Sequence, residues 1–364
     1  MSKVNKQLQA DAIKYSNLNG IAGHEENVAK AIKEDLKEIK GLKFERDGLG
    51  SLAVIKKSKA KDAPTISFTC HMDEVGFLVT NIDKKGFIKF QSIGGWWGHV
   101  VLAQKLTITT RTGKEYVGVV GSTPPHLLKA PQRSKVLGVK DMFLDLGVNS
   151  KEEVEKLGIQ VGDMITPYQD TAFVAIDKNK VIGKAHDNRI SVVAGIEIMR
   201  QLADLELDTN VIFVGSTQEE VGLRGARTAA YKWTPDIAFA IDVTFCWNTP
   251  GMEDKPTKLG TGVALSMFDA TIIGNPVLME SVKEIAKKAK VPHTFDGISG
   301  GGTDAGVIHL TKDGVPTMTL SIPSRYMHSH NSIVDLTDVE ATVKLVTEYI
   351  KDFSNKKLEG IRYS

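Results

Sequence analysis

The chain has 364 residues, 41% hydrophobic and 25% charged, with 46 Lys and Arg against 44 Asp and Glu. That is room for one large domain or two ordinary ones around a sizeable core. A net charge of +2 argues against a nucleic-acid or membrane-surface binder, either of which needs a clustered basic field. The two cysteines, Cys70 and Cys246, are too few for a disulfide framework and have no CxxC spacing. Residues Met1 to Ala10 hold no apolar leader region, and no apolar run reaches membrane-spanning length. The expected compartment is a reducing cytoplasm.

Taken in order, residues 5–18 and 25–40 read as helices; in the second, Val28, Ile32, Leu36 and Ile39 fall on one face. Strands are expected at Leu52 to Ile55, after an Asp47-Gly48 turn, and at Thr65 to Cys70. The lysines between Lys56 and Lys61 read as an exposed hairpin tip. From about Phe77 to Ala175 short β-prone runs recur: Phe77 to Ile82, Phe87 to Phe90, Leu106 to Thr110, Tyr116 to Val120 and Met164 to Pro167. Asp83-Lys-Lys-Gly86 and Arg111-Thr-Gly-Lys114 have hairpin chemistry, and Lys151 to Leu157 reads as a helix. Such spacing suggests a small inserted β-barrel or sandwich over 77–175.

After Val181-Ile-Gly183, strands and helices alternate again. Helices are expected at Asn188 to Leu205, Gly225 to Lys232, Val277 to Ala289, Ala305 to Leu310 and Val339 to Phe353; strands at Val211 to Ser216, Ile237 to Val243 and Thr317 to Ile322. The expected fold is α/β, with a mixed central sheet built from 1–76 and 176–364 and helices on both faces. Such sheets bind ligands at the carboxyl ends of their strands.

Chemistry-bearing residues stand just past those ends. His71 and Asp73 follow Cys70, Glu219 and Glu220 follow Ser216, Asp242 sits late in its strand, and His328 and His330 follow Ile322. Asp187 lies where the insert hands back to the sheet. Singly, each has a bland reading; Glu219-Glu220 alone is most simply a solvated loop pair. Jointly they offer imidazole and oxygen donors for a divalent metal. If Asp187 bridges two dications, with His71 and Asp242 on one and Glu220 and His328 on the other, a hydroxide completes roughly four negative charges against four positive. Glu219 is then free to accept a proton from metal-bound water, whose pKa falls to about 7. Asp73 could orient the His71 imidazole or hold a neighbouring group.

Six segments carry a resemblance: Cys70-His-Met-Asp-Glu-Val-Gly76, Asp187-Asn-Arg189, Thr217-Gln-Glu-Glu-Val-Gly-Leu-Arg-Gly-Ala226, Ala240-Ile-Asp-Val243, Gly300-Gly-Gly-Thr-Asp-Ala305 and Ile322-Pro-Ser-Arg-Tyr-Met-His-Ser329. In this order they resemble the M42 family of metallo-aminopeptidases, which includes glutamyl and tetrahedral aminopeptidases. The resemblance implies a zinc-exopeptidase-like fold and a two-metal exopeptidase removing N-terminal residues from peptides through a metal-bridged hydroxide. It implies His71 and Asp242 on one metal, Glu220 and His328 on the other, Asp187 bridging, Glu219 as general base and Asp73 as supporting acid. Zn²⁺ or Co²⁺, with Mn²⁺ as a further candidate, would occupy the sites. The insert would shape substrate access and oligomer contacts, in dimers or a dodecamer.

Other features receive plainer readings. His186, where an apolar or aromatic residue is expected, is read as packing, and the family pattern selects His328 over His330. His99 and His126, in the insert, have only their location to suggest contact with substrate or a partner. The Gly300-Gly-Gly302 loop lacks a Walker lysine and is expected to place Thr303 and Asp304 near a specificity pocket. Trp96 and Trp97 read as insert core or interface, Cys70 as a small buried hydrophobe. Two rival functions are a glycoside hydrolase using Glu219 and Glu220 and a non-catalytic metal-binding scaffold.

Overall fold

The computed structural model describes residues 4–174 and 176–362; Ala175, at the end of the expected insert, lies outside them. Among the described residues one mixed sheet of eleven strands runs Leu42–Arg46, Leu52–Lys56, Asn210–Ser216, Thr65–His71, Ile237–Phe245, Thr317–Arg325, Ser332–Asp335, Asp177–Gly183, Ala172–Val174. Val263–Ser266 pairs with the first part of Thr317–Arg325 and carries His293–Asp296. The four central strands are parallel, with Ser216 opposite His71 and Asp242 opposite Ser321. Their carboxyl ends therefore share one edge.

Alternation along these strands divides the two faces. Phe68, Phe213, Phe239, Ile241, Leu320 and Ile322 point toward the helices His186–Leu202 and Leu336–Asp352, which answer with Val192, Ile196 and Met199 and with Val339, Val343 and Val346. Phe68 stacks on Phe213 at 5.3 Å, and Tyr349 stands edge-on to Phe239 at 5.2 Å. Fully burying one such side chain stabilises the fold by roughly 2 kcal/mol. On the other face Ala226 and Ala230 meet Ala238, and Ala305 meets Ala240. Small residues there let the helices Arg224–Trp233 and Ala305–Ile308 lie close to the sheet.

Six strands close a barrel in the order Gly76–Ile82, Ile88–Ile93, Phe143–Asp145, Glu115–Gly121, Lys105–Thr109, Met164–Pro167. Phe77, Phe90, Ile108, Leu144 and Ile165 fill it. Both hairpin connections fall where the turn chemistry placed them. The strands absent from the sequence reading are Phe143–Asp145, which closes the barrel, and Leu42–Arg46, Ala172–Val174, Asp177–Gly183, Val263–Ser266, His293–Asp296 and Ser332–Asp335 in the sheet; all but Asp177–Gly183 are short. The helix expected from Asn188 begins at His186 and includes non-helical backbone at Asp187 and Asn188. It ends at Leu202 rather than Leu205. Among the described residues no helix is long and apolar enough to cross a membrane.

Asp338, at the start of Leu336–Asp352, is buried and accepts the amide N–H of Gly260 (2.8 Å) and Gly262 (2.6 Å). Burial pushes its carboxyl up to about 7, against those two donors. A raised carboxyl pKa means the folded state holds the proton more tightly. The associated stabilisation is complete below the unfolded value near 4 and is lost as pH rises through about 7. Metal-free Asp338→Asn should therefore gain thermal stability relative to the unaltered protein as pH rises from about 4 to 8. Melting curves keeping a constant offset across that range would refute this.

Candidate metal centre

His71 ends its strand and Met72 continues the pairing, its N–H reaching Ser216 O at 2.8 Å. The same strand end is tied across to the loop that follows Ser216. Asp73, fully buried, uses both carboxylate oxygens on that loop: Oδ1 accepts the Glu219 N–H at 3.0 Å and Oδ2 the Glu220 N–H at 3.1 Å. Gln218 and Leu223 adopt left-handed backbone, with φ of 56° and 58°, and the turn closes with Gly222 and Leu223 N–H on Glu219 O, each at 2.9 Å. Strand alternation ends here, so two consecutive glutamates enter one pocket.

The histidines and carboxylates named from the sequence as metal ligands come together. His71 Nε2 lies 3.1 Å from Asp187 Oδ1 and 3.7 Å from Asp242 Oδ1. His328 Nε2 lies 3.4 Å from Asp187 Oδ2 and 3.4 Å from Glu220 Oε2. Asp187 thus turns one oxygen to each imidazole. Glu219 Oε2 is also 3.7 Å from His71 Nε2, as near as Asp242. Two cation-sized groupings occur among the described residues, His71–Glu219–Asp242 and His71–Asp187–Glu220. Distance alone does not separate Glu219 from the expected ligands.

Both imidazoles are oriented alike. His71 Nδ1 lies 3.0 Å from the Asp73 carbonyl and His328 Nδ1 3.0 Å from the Gly95 carbonyl. A carbonyl only accepts, so each Nδ1 carries the hydrogen and each Nε2 turns its lone pair to the pocket when the ring is neutral. The Asp73 carboxylate is 3.5 Å from His71 Nδ1; its hydrogen bonds go to the loop, and its backbone orients the ring. Gly94 and Gly95 matter for space. A Cβ on Gly94 (φ 79°) would stand 2.7 Å from Val75 Cγ1, and one on Gly95 3.1 Å from His328 Nδ1.

The electrostatics favour cations. Burial, then the charge of Asp187, pushes Glu220 up to about 8. Burial pushes Asp242 up to about 8 as well, with Asp187 adding to it against the pull of His71. Glu219 is raised by burial and by Asp242 and Glu220, against the pull of His71. Burial pulls His328 down, but its contact with Asp187 and the charges of Glu220 and Asp187 outweigh that and lift it to about 9. Burial likewise opposes the charge on His71, yet Glu219, Asp187, Asp73 and Asp242 raise it. Glu220 Oε1 is buried with no hydrogen-bond partner. This donor set, oxygen and imidazole with one carboxylate shared between the two rings, fits divalent cations. His328, with 42% of its side chain exposed, marks the open side of the pocket.

The remaining histidines fall outside it. His186 is buried with neither ring nitrogen bonded, and burial lowers it to about 4. His330 is also buried and unbonded, and stands edge-on to Trp96 at 5.3 Å. Trp96 stacks on Phe77 at 4.8 Å within the barrel core, whereas Trp97 is exposed against His99. Cys70 is buried in the main core. Thr303 and Asp304 are buried supports: Thr303 Oγ1 contacts Asp269 Oδ2 (3.2 Å) and Thr319 Oγ1 (2.8 Å), and Asp304 Oδ2 accepts the Ser216 hydroxyl at 2.5 Å. The glycines beside them admit Thr271, since a Cβ on Gly302 would meet Thr271 Cγ2 at 2.5 Å.

Three buried residues matter here that sequence reasoning passed over. Arg189 donates to the carbonyls of Met72 (2.6 Å), Tyr15 (3.2 Å), Leu18 (2.7 Å) and Gly20 (2.8 Å). Lys184 Nζ holds Glu74 at 2.6 and 2.8 Å. Asn188 bonds the Ile241 carbonyl at 2.9 Å, next to Asp242. The available signal was charge within otherwise apolar surroundings: Lys184 and Arg189 flank Asp187, and Glu74 follows Asp73.

A mixed sheet covered by helices, a closed barrel and a buried imidazole–carboxylate pocket at the carboxyl edge are shared with known proteins that place the chain among the aminopeptidases, a class of hydrolases. The chain belongs to the M42 glutamyl aminopeptidase family, whose model matches residues 50–345. It is 36% identical over 346 residues to the glutamyl aminopeptidase of Lactococcus lactis subsp. cremoris, covering 95% of this chain and 96% of that one. Among solved structures it superposes with a TM-score of 0.93 on the TET aminopeptidase of the marine sediment archaeon Thaumarchaeota archaeon SCGC AB-539-E09, at 36% identity, over 98% of this chain and 99% of that one. The TET1 peptidase of Pyrococcus horikoshii, described as able to assemble into a tetrahedron or a large octahedral shell, matches with a TM-score of 0.85 at 32% identity, over 95% and 100%. The protein is an aminopeptidase, and its family implies divalent metal ions.

Proposed function

We propose that the protein is a two-metal aminopeptidase in which Asp187 bridges, His71 and Asp242 complete one site, and Glu220 and His328 complete the other. The observation that carries this is the division of the Asp187 carboxylate, Oδ1 toward His71 and Oδ2 toward His328. Bound divalent cations would polarise the scissile carbonyl and acidify water. Glu219, raised by burial and its acidic neighbours, is the proton carrier. It takes a proton from the attacking water as the carbon–oxygen bond forms and gives it to the leaving amine as the carbon–nitrogen bond breaks. Asp73 is its supporting acid, holding the loop rather than touching substrate.

The inserted barrel, which runs from Gly76 to Pro167, acts on this reading as a unit that shapes access, with the Gly95 carbonyl holding His328 from the barrel side. By analogy with a solved structure described as a PhTET1 dodecamer, the protein is a homo-oligomer, a dimer or a dodecamer. The free, buried Cys70 and Cys246 suit a reducing cytoplasm. Family membership favours the peptidase over both the glycosidase and the inert scaffold.

Stripping metal with a chelator should abolish turnover of aminoacyl anilides, and about two equivalents of Zn²⁺, Co²⁺ or Mn²⁺ should restore it. Acidic, neutral and basic anilides would define the preferred N-terminal residue, and light scattering the assembly. Full turnover by protein shown to be metal-free would overturn the proposal.

A further inference from the structure

Three consecutive amides in the loop bearing Glu219 are held by two buried carboxylates. Asp73 takes the N–H of Glu219 and of Glu220. The third amide, that of Gln218, donates to Glu25 Oε1 at 2.9 Å, across 193 residues of sequence. Glu25 stands immediately before the helix Glu26–Leu36, where a short polar side chain would ordinarily cap the helix amides. It makes no such cap. Its Oε1 instead collects the Gly23 N–H at 2.8 Å and the Gln218 N–H, with only 5% of the residue exposed.

Gln218 is the residue at which the chain leaves the sheet in left-handed backbone, φ 56°, which a residue with a side chain seldom adopts without support. Its orientation sets where Glu219 points. The segment carrying Glu25 is itself anchored, since Arg189 holds the carbonyls of Leu18 and Gly20, and Gly20 O accepts the Glu74 N–H at 3.0 Å.

We propose that Glu25 is a positioning residue for the reaction: by accepting the Gln218 N–H it fixes the turn that aims Glu219, so the N-terminal segment completes the catalytic loop. The proposal rests on Glu219 being the general base. Glu25 belongs to neither cation-sized grouping, and its Oε1 accepts backbone amides. A base displaced by about an ångström costs up to roughly a hundredfold in rate, and loss of an outer supporting partner costs about ten- to a hundredfold.

Full-length protein loaded with Zn²⁺ should show kcat for an aminoacyl anilide reduced about 10- to 100-fold by Glu25→Ala, with KM within about twofold and metal content unchanged. Glu25→Gln, which keeps a carbonyl oxygen for the Gln218 N–H, should recover most of the rate. Hydrogen–deuterium exchange, with and without Zn²⁺, should rise in the Thr217–Leu223 segment of Glu25→Ala and stay near normal in Glu25→Gln. Should Glu25→Ala fail to fold, Glu25→Asp, whose carboxylate falls one methylene short, carries the same expectation. Asp236→Ala is the structural control, since it frees the Thr65 N–H at the opposite end of the His71 strand. It should lower stability and leave kcat alone.

Normal kcat in folded Glu25→Ala, exchange rising throughout the protein, or Glu25→Gln as impaired as Glu25→Ala would each overturn the proposal. Normal turnover by Glu219→Gln would instead remove the general-base reading. Normal turnover by Glu25→Ala beside an inactive Glu219→Gln removes the positioning role alone.

Discussion

Glu219→Gln should bind two metal ions per chain and lose about a thousandfold in kcat, within the range that general acid–base groups contribute. The substitution preserves size and one oxygen while removing the ability to accept and return a proton. Its backbone N–H still reaches Asp73 Oδ1, so the loop keeps its anchor and the loss reports the side chain. Metal content is the informative companion measurement. Glu219 Oε2 and Asp242 Oδ1 are equidistant from His71 Nε2, each 3.7 Å away, and a liganding glutamate would lose affinity on becoming neutral. Full metal content with collapsed turnover identifies a base. A fall in metal stoichiometry would make Glu219 a ligand, and unchanged turnover would exclude it from both roles.

Asp187→Ala should be the most damaging single change, costing both metals and reducing turnover to background. Among the described residues, no other carboxylate forms an ion pair with both His71 and His328. Glu220→Gln should by contrast weaken chiefly the His328 site. A second readout needs no metal. Asp187 is the largest of the groups lifting His328 to about 9, so metal-free Asp187→Ala should show His328 titrating lower by NMR. Two tightly held metals in Asp187→Ala would refute the bridging assignment.

The pocket was legible in the sequence because its residues violate an economy: acids and histidines stand at the ends of apolar strands, where charge is costly to bury without a partner. His71, Glu219 and Asp242 could be placed from strand ends alone, and Asp187 from its position at the return to the sheet. The supports were not legible, because they act through backbone groups. Nothing in the letters of Gly95 says that its carbonyl orients His328, nor in Glu25 that its partner is an amide 193 residues away. Asp73 was read with two possible duties, and its carboxylate performs the second. Ala172–Val174 and Phe143–Asp145, at three residues each, are too short to show a period of two. They are strands because existing edges pair with them.

The sheet order has a consequence for how the chain is made. The strand Thr65–His71 lies between Asn210–Ser216 and Ile237–Phe245, while the whole barrel is encoded between Gly76 and Pro167. During vectorial synthesis the barrel can close while Phe68 and Cys70 sit on a strand with both hydrogen-bonding edges bare. Pairings across such sequence distances form slowly and leave apolar edges exposed meanwhile. Synthesis thus presents a small unit able to close before the large one is complete, and His328, last in the chain of the proposed ligands, follows the strand Thr317–Arg325.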